Sequence, residues 1–404
     1  MKKRLLGLAL VMSMGLGLLA GCGSSADSSS ADASSDAVAS GDIKVGVIYI
    51  GDENEGYTSS HMEGIDEMME ACGLSEDQVI EKTNISEDES CYEAAVDLAE
   101  QGCDIIFATS FGYEDYILQV AAEYPDIQFY HGTGYQAASS GLSNVHNYFT
   151  NIYEARYVAG VVAGMKIQEM IDNGEITADE AKIGYVGAYP YAEVVSGYTA
   201  FYLGAKSVCD SVTMEVQYTN TWGDMSTENE IATKLIEDGC IMISQHADTT
   251  GAPSACESAG VYCVGYNIDM TSVAPNTALT SATNKWGVFY TQAVEALING
   301  ETFATDWAEG YSEGAVAITD LNEDIVAEGT AEKVAEVEAA LADGTLNVFD
   351  TSTFTINGST IEELIESDDD YASYADYVSD GYFHESELIS APAFDLRIDG
   401  ITEK

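Results

Sequence analysis

The chain has 404 residues, 46% of them hydrophobic, which is enough for large cores. Its 14 basic residues stand against 69 acidic ones, a formal charge of −55. Such a body is repelled by phosphate backbones and by anionic lipid headgroups, which argues against nucleic-acid binding and against lying on a membrane surface.

The N-terminus reads as an address. Lys2, Lys3 and Arg4 precede an uncharged apolar run over 5–20, the pattern of a secretory signal and too short for a comfortable membrane span. Leu19-Ala20-Gly21-Cys22 is a bacterial lipobox. It predicts a lipoprotein signal peptide over 1–21, removed before Cys22, whose thiol carries the lipid anchor. Residues 22–41 are almost all Ser, Ala, Asp and Gly, a disordered tether with too little apolar surface to fold. The protein is thus expected outside the cytoplasm, anchored to the bacterial cell membrane through Cys22 alone. Beyond the tether about 360 residues remain, the size of two ordinary domains.

The body alternates strand and helix signals. A buried strand is predicted over 43–50 (IKVGVIYI), then a helix over 59–72, a strand over 78–85, a helix over 89–101 and a strand over 104–109. A helix over 115–123 stops before Pro125, and 127–131 is extended. Residues 153–170 form a long helix whose Ala159, Gly160, Ala163 and Gly164 are expected to pack closely on a sheet. The rhythm restarts with strands over 183–186, 212–218, 241–244 and 261–265 and helices over 191–208, 226–237 and 253–259. Alternation of this kind implies parallel βαβ units with right-handed crossovers, and two runs imply two doubly wound α/β lobes. A faint repeat agrees: LAEQGCDII (98–106) resembles LIEDGCIMI (235–243), each ending a helix at glycine and entering an apolar strand. Towards the C-terminus a helix covers 331–342, and the Asp- and Tyr-rich 367–379 reads as a solvated surface excursion.

Cysteine, histidine and acid spacings carry little chemistry. Besides Cys22 there are seven cysteines, an odd number without Cys-x-x-Cys or His-rich spacing, so no metal and no cofactor is expected. Cys103 and Cys240 are expected as buried apolar residues, and Cys256 with Cys263 is the one candidate disulfide. No Gly-x-Ser-x-Gly elbow, Walker loop or His-Glu-x-x-His is present, so an enzyme is not expected. Ligands of doubly wound sheets sit beyond the C-terminal strand ends. That rule selects the loops at 51–61, 110–113, 132–135, 220–223, 245–248 and 265–269, all rich in aromatics beside amides, hydroxyls and carboxyls. Such a lining suits a flat, polar-edged small molecule, and Trp222 is the rarest residue type within it.

The loops and their order resemble the basic membrane protein (BMP) family of lipoproteins, the nucleoside- and purine-binding components of ABC importers. The resemblance rests on GDENEGYTSSHMEG (51–64), FGYEDYILQVAAEYPDIQFYHGTGY (111–135), NIYEARYVAGVVAG (151–164), GYVGAYPYAEVVSGYTAFYLGAKSV (184–208), TWGD (221–224), ISQHADTTGAP (243–253), GVYCVGYNIDM (260–270) and LTSATNKWG (279–287). It implies a type I periplasmic-binding-protein fold, two Rossmann-like lobes joined by a multi-strand hinge. The N-terminal lobe would comprise 42–150 and about 267–315, the C-terminal lobe 151–266 and about 316–404. It also implies a monomer that binds a purine base or nucleoside between the lobes and meets an ABC permease. Tyr57 falls where the purine-base subgroup has Trp and would stack on one face of the base, with Trp222 on the other. His61, Gln245, His246 and Asp248 fall at polar positions and would meet the base edge, and Trp286 is counted with the ligand-binding residues. Two departures concern ribose. Asn267 replaces the first acid of the ribose-binding loop although Asp269 remains, and Asn284 stands at the aligned lysine position, with Lys285 beside it. That favours a free base over a nucleoside. The alternatives are a sensory lipoprotein of the same fold and a binder of a flavin, a sugar or a signalling molecule.

Overall fold

The computed structural model describes residues 43–404; the stretches expected as signal peptide and tether, with Cys22, lie outside them. The chain runs β1 (Val45–Ile48), α1 (Gly56–Cys72), β2 (Val79–Lys82), α2 (Glu89–Glu100), β3 (Ile105–Ala108), α3 (Glu114–Glu123), β4 (Gln128–Gly132), the short α4 (Ala137–Ser140) and β5 (Val145–Thr150). The long helix α5 (Ile152–Asp172) leads to β6 (Lys182–Gly187), α6 (Ala192–Lys206), β7 (Thr213–Tyr218), α7 (Met225–Glu237), β8 (Met242–Gln245), α8 (Gly251–Ala259), β9 (Tyr262–Tyr266) and β10 (Ala278–Asn284). There follow α9 (Trp286–Asn299), β11 (Asp306–Glu309), β12 (Val316–Ile318), α10 (Thr330–Ala342), α11 (Ile361–Ser367), the ribbon β13 (Val378–Ser379) and β14 (Tyr382–Phe383), and β15 (Ile401–Glu403).

Among the described residues the strands form a six-stranded sheet, β11-β5-β4-β3-β1-β2, and a seven-stranded sheet, β12-β10-β9-β8-β6-β7-β15. Strand for strand the orders match, β1 to β6, β2 to β7, β3 to β8, β4 to β9 and β5 to β10, so the faint sequence repeat reflects two copies of one topology. The recurrent Gly-Cys has one role in both: Cys103 reaches Gly46 on β1 and Cys240 reaches Gly184 on β6, where a Cβ would stand 3.2 Å from either cysteine. All pairings are parallel except β10 with β12 and the β13–β14 ribbon. Helices cover both faces of each sheet, α1 with α9 and α2 with α3 on the first, α5 with α6 and α7 with α8 on the second.

Three expectations need correction. β10 pairs with β9, so the chain returns to the first lobe only at α9 and not at about residue 267. The small-residue stripe of α5 makes its closest approach to α6, a helix, rather than to a sheet: a Cβ at Gly160 would lie 2.1 Å from the Phe201 carbonyl oxygen. The candidate pair Cys256 and Cys263 is unbonded, both being free thiols in the apolar layer under α7 and α8, and the other described cysteines are free too. The C-terminal segment is more integrated than a solvated excursion. Tyr371, Tyr374 and Tyr377 pack on the main core, and β15 extends the second sheet at its β7 edge. Among the described residues no helix is long and apolar enough to cross a membrane.

Candidate functional site

The C-terminal ends of both sheets face one cavity of about 350 Å³ of empty space, part of it open to solvent. The first lobe contributes Ile50, Tyr57, Thr109, Ser110, Phe111 and Thr133. The second contributes Glu193, Trp222, His246, Asp248 and Tyr266. Of the residues predicted from sequence, Tyr57, Trp222, His246 and Asp248 line it.

Tyr57 is placed by the start of α1. Glu55 caps that helix, accepting from the amides of Tyr57 at 2.6 Å and Thr58 at 2.8 Å. The Tyr57 hydroxyl donates to the Thr109 carbonyl at 2.8 Å, which locks the ring against the neighbouring strand end. His61 and Trp286 stand one layer behind and not on the cavity. His61 stacks on Trp286 at 4.2 Å, bonds Tyr290 Oη through Nδ1 at 2.7 Å, and meets the edge of Tyr57 at 4.5 Å. Burial holds the His61 pKa well below the usual imidazole value, so it is neutral packing for Tyr57.

Gln245 is also a support. Its amide donates to the carbonyls of Ala247 at 2.6 Å and Thr249 at 2.8 Å, shaping the loop that carries His246 and Asp248. Its own carbonyl accepts from Arg156, a fully buried cation on α5 whose guanidinium lies 3.6 Å above the Tyr266 ring. His246 Nε2 lies 3.1 Å from Glu193 Oε1. Burial, opposed by Arg156, pushes the Glu193 carboxyl up to about 7, while burial and Arg156 hold His246 well below its usual value. Asp248 is raised well above the carboxylate range by burial and by Glu55, Glu228 and Glu193, with Arg156 opposing.

The two asparagines at the expected ribose corner satisfy each other. Asn284 donates to Asn267 at 3.2 Å, Asn267 donates to Asp248 at 3.0 Å, and Asn284 accepts from Thr150. Asn267 does not line the cavity, and its φ of +66° suits an asparagine at that turn. Asp269 is elsewhere: it caps the turn at Met270–Ser272, accepting from the amide and hydroxyl of Thr271.

The lobes touch across the cleft. The Gly56 amide donates to the Asp248 carbonyl at 3.0 Å, and Phe111 stacks on Tyr191 at 5.3 Å. Tyr191 in turn stacks on Tyr189 at 5.0 Å, and Tyr189 meets Trp222 edge-on at 5.2 Å. A row of rings therefore crosses the mouth of the cleft.

Sequence reasoning passed over Glu193 and Arg156. The loop after β6, which leads to Glu193, meets the same strand-end rule as the loops that were selected. Arg156 sits inside a 21-residue helix, and no local signal marks it. Among the described residues no group of three or more His, Cys, Asp or Glu stands ready to hold a metal.

Residues 43–345 match the family described as ABC transporter substrate-binding protein PnrA-like. A purine-binding protein of Brucella abortus is 34% identical over 321 residues, spanning 78% of this chain and 85% of that protein. A putative ABC transporter glucose-binding protein of Haloferax volcanii is 32% identical, over 76% of this chain and 74% of that protein. Among solved structures, an ABC transporter solute-binding protein from Aeropyrum pernix has a TM-score of 0.65 at 16% identity, covering 83% of this chain and 96% of its own. One from Conexibacter woesei has a TM-score of 0.59 at 21% identity, covering 76% and 98%. These likenesses carry the type I periplasmic-binding fold and, with the sequence match, the family. The chain belongs to the PnrA-like family of ABC transporter substrate-binding proteins, extracytoplasmic and non-enzymatic binders that bring a small molecule to a membrane permease.

Proposed function

We propose that this protein binds a free purine base in the cleft between Tyr57 and Trp222 and delivers it to its permease. The observation that carries the reading is one narrow cavity with an aromatic ring from each lobe and two carboxylates, Glu193 and Asp248, on its wall. The purine-binding relative supports the same ligand class. A base is favoured over a nucleoside because Asn267 and Asn284 spend their side chains on each other and on Asp248 and Thr150. Contacts from both lobes make closure the working step: ligand stabilises the closed state, which the permease reads. The molecule works as a monomer, since one chain supplies both walls of the cleft. A sugar is the second reading, favoured by the relative described as glucose-binding.

A thermal-shift panel of the body from residue 42, with purine bases, nucleosides, riboflavin and glucose, separates these. A purine base at a hundred times its dissociation constant adds about 2.7 kcal/mol to stability, a rise of several degrees. A shift with glucose and none with any purine compound overturns the reading. The lipid anchor is a separate part of the proposal. Cys22→Ser should move the protein from the membrane fraction to the soluble one, and unchanged membrane retention removes Cys22 from that role.

A further inference from the structure

On the first lobe's wall the hydroxyls face a ligand as hydrogen-bond acceptors. A hydroxyl has one proton to give, and those on the first lobe's wall have spent theirs inside the protein. Tyr57 donates to the Thr109 carbonyl, Thr109 to the Ile48 carbonyl at 3.2 Å, Ser110 to Glu87 at 2.7 Å, and Thr133 to the Gly132 carbonyl. His246 keeps Nε2 on Glu193 and turns Nδ1 towards Gly197, where a Cβ would stand 2.7 Å away. Arg156 lies behind the wall with Nε and Nη2 unpartnered, and the Tyr266 hydroxyl is buried without a partner as well. Trp222 lines the same cavity and adds an indole N–H donor. Against it stand Glu193 and Asp248. One oxygen of each is engaged, by His246 and by Asn267, which leaves the other oxygen of each carboxylate for the ligand.

We infer that Glu193 and Asp248 make the cleft selective for a heterocycle rich in N–H donors, with guanine-like donor edges preferred over oxo-substituted ones. The inference rests on the purine reading of the same cleft and narrows it. Guanine presents N1–H and the 2-amino group side by side, two donors for the free oxygen of Glu193 and the free oxygen of Asp248. Hypoxanthine lacks the amino group and leaves a carboxylate oxygen unmet in a buried site. Xanthine turns a carbonyl lone pair towards that oxygen, which is repulsive.

Proton linkage gives an independent sign. Asp248 is faced by Glu55 from the cap of α1, Glu228 from α7, Glu193 from α6 and Arg156 from α5. Glu193 is faced by Arg156 and by neutral His246. In the empty cleft burial raises both acids, Glu193 to about 7, so near neutrality a proton sits on Glu193 in a share of the molecules. A donor ligand favours the ionised form and expels that proton, so its affinity rises with pH through that range. A ligand that accepts a bond from the protonated acid shows the opposite slope.

Calorimetry of the body from residue 42 with guanine, hypoxanthine and xanthine, which differ at C2, xanthine also carrying a proton on N3, tests this. Guanine is expected to bind about tenfold or more tighter than hypoxanthine, and xanthine weakest. Guanine affinity should rise between pH 6 and 8, and Asp248→Asn or Glu193→Gln should shrink the guanine preference. Equal binding of the three bases, or guanine affinity that falls with pH, overturns the inference and leaves the purine reading intact. Failure of all three to bind overturns the inference, and failure of adenine and the nucleosides as well overturns both.

Discussion

Gly204→Ala is expected to lower the melting temperature by several degrees, and Gly204→Leu to abolish soluble expression. The reason is the contact between α5 and α6. A Cβ at Gly204 would lie 2.0 Å from the Tyr157 carbonyl oxygen, and one at Gly160 2.1 Å from that of Phe201. The backbones touch, with Gly164 continuing the line against the Ala205 carbonyl at 2.4 Å. A methyl group there forces the helices apart, at a cost of about 1–3 kcal/mol or more. At a helix position open to solvent the same change would gain about 0.5–1 kcal/mol, because alanine is the better helix former. The sign of the measured shift is therefore diagnostic. A melting temperature that stays level or rises would show that the helices do not meet at Gly204. The consequence reaches the site, since α5 carries Arg156 and α6 begins beside Glu193.

Much of the fold was legible because its central strands are short β-branched runs bounded by glycine, such as 43–50, with helices of ordinary length between them. β5 (VHNYFT) and β10 (ALTSATN) escaped notice for a physical reason. Both are buried throughout, yet they interleave apolar residues with His, Asn, Thr and Ser, several of which find tertiary hydrogen-bond partners. Asn147 donates to Asp306, His146 bonds the Ala304 carbonyl, and the Thr280 hydroxyl donates to the Thr319 carbonyl. No apolar run announces such a strand, and missing β10 displaced the lobe boundary. The cavity was legible where a loop follows a strand, which placed Tyr57, Trp222, His246 and Asp248. It was not legible in depth. His61, Gln245 and Trp286 lie close in sequence to lining residues but one layer behind them, and sequence adjacency cannot separate a wall from its buttress.

That distinction between wall and buttress separates the two aromatic substitutions. Trp222→Ala is expected to weaken purine binding by about tenfold or more while moving the melting temperature of the empty protein little. Stacking of a base on an aromatic side chain contributes roughly 1–3 kcal/mol by alanine substitution. Trp222 sits on a loop, half-buried, with Tyr189 on its edge, so its removal opens the cleft mouth without hollowing the core. Tyr57 is different. It is buried, bonded to Thr109 and packed on His61, which is stacked on Trp286, so Tyr57→Ala leaves a cavity in the first lobe. That change should cost about 3–5 kcal/mol of stability as well as affinity. Calorimetric affinity and melting temperature, measured on both variants, distinguish the roles. Affinity unchanged in Trp222→Ala would take the indole out of the site and leave the base with one aromatic face. Stability lost equally in both would make Trp222 a structural residue like Trp286. The expected pattern, affinity lost in both and stability lost only with Tyr57, describes a cleft with one rigid wall and one exposed wall that completes itself on the ligand.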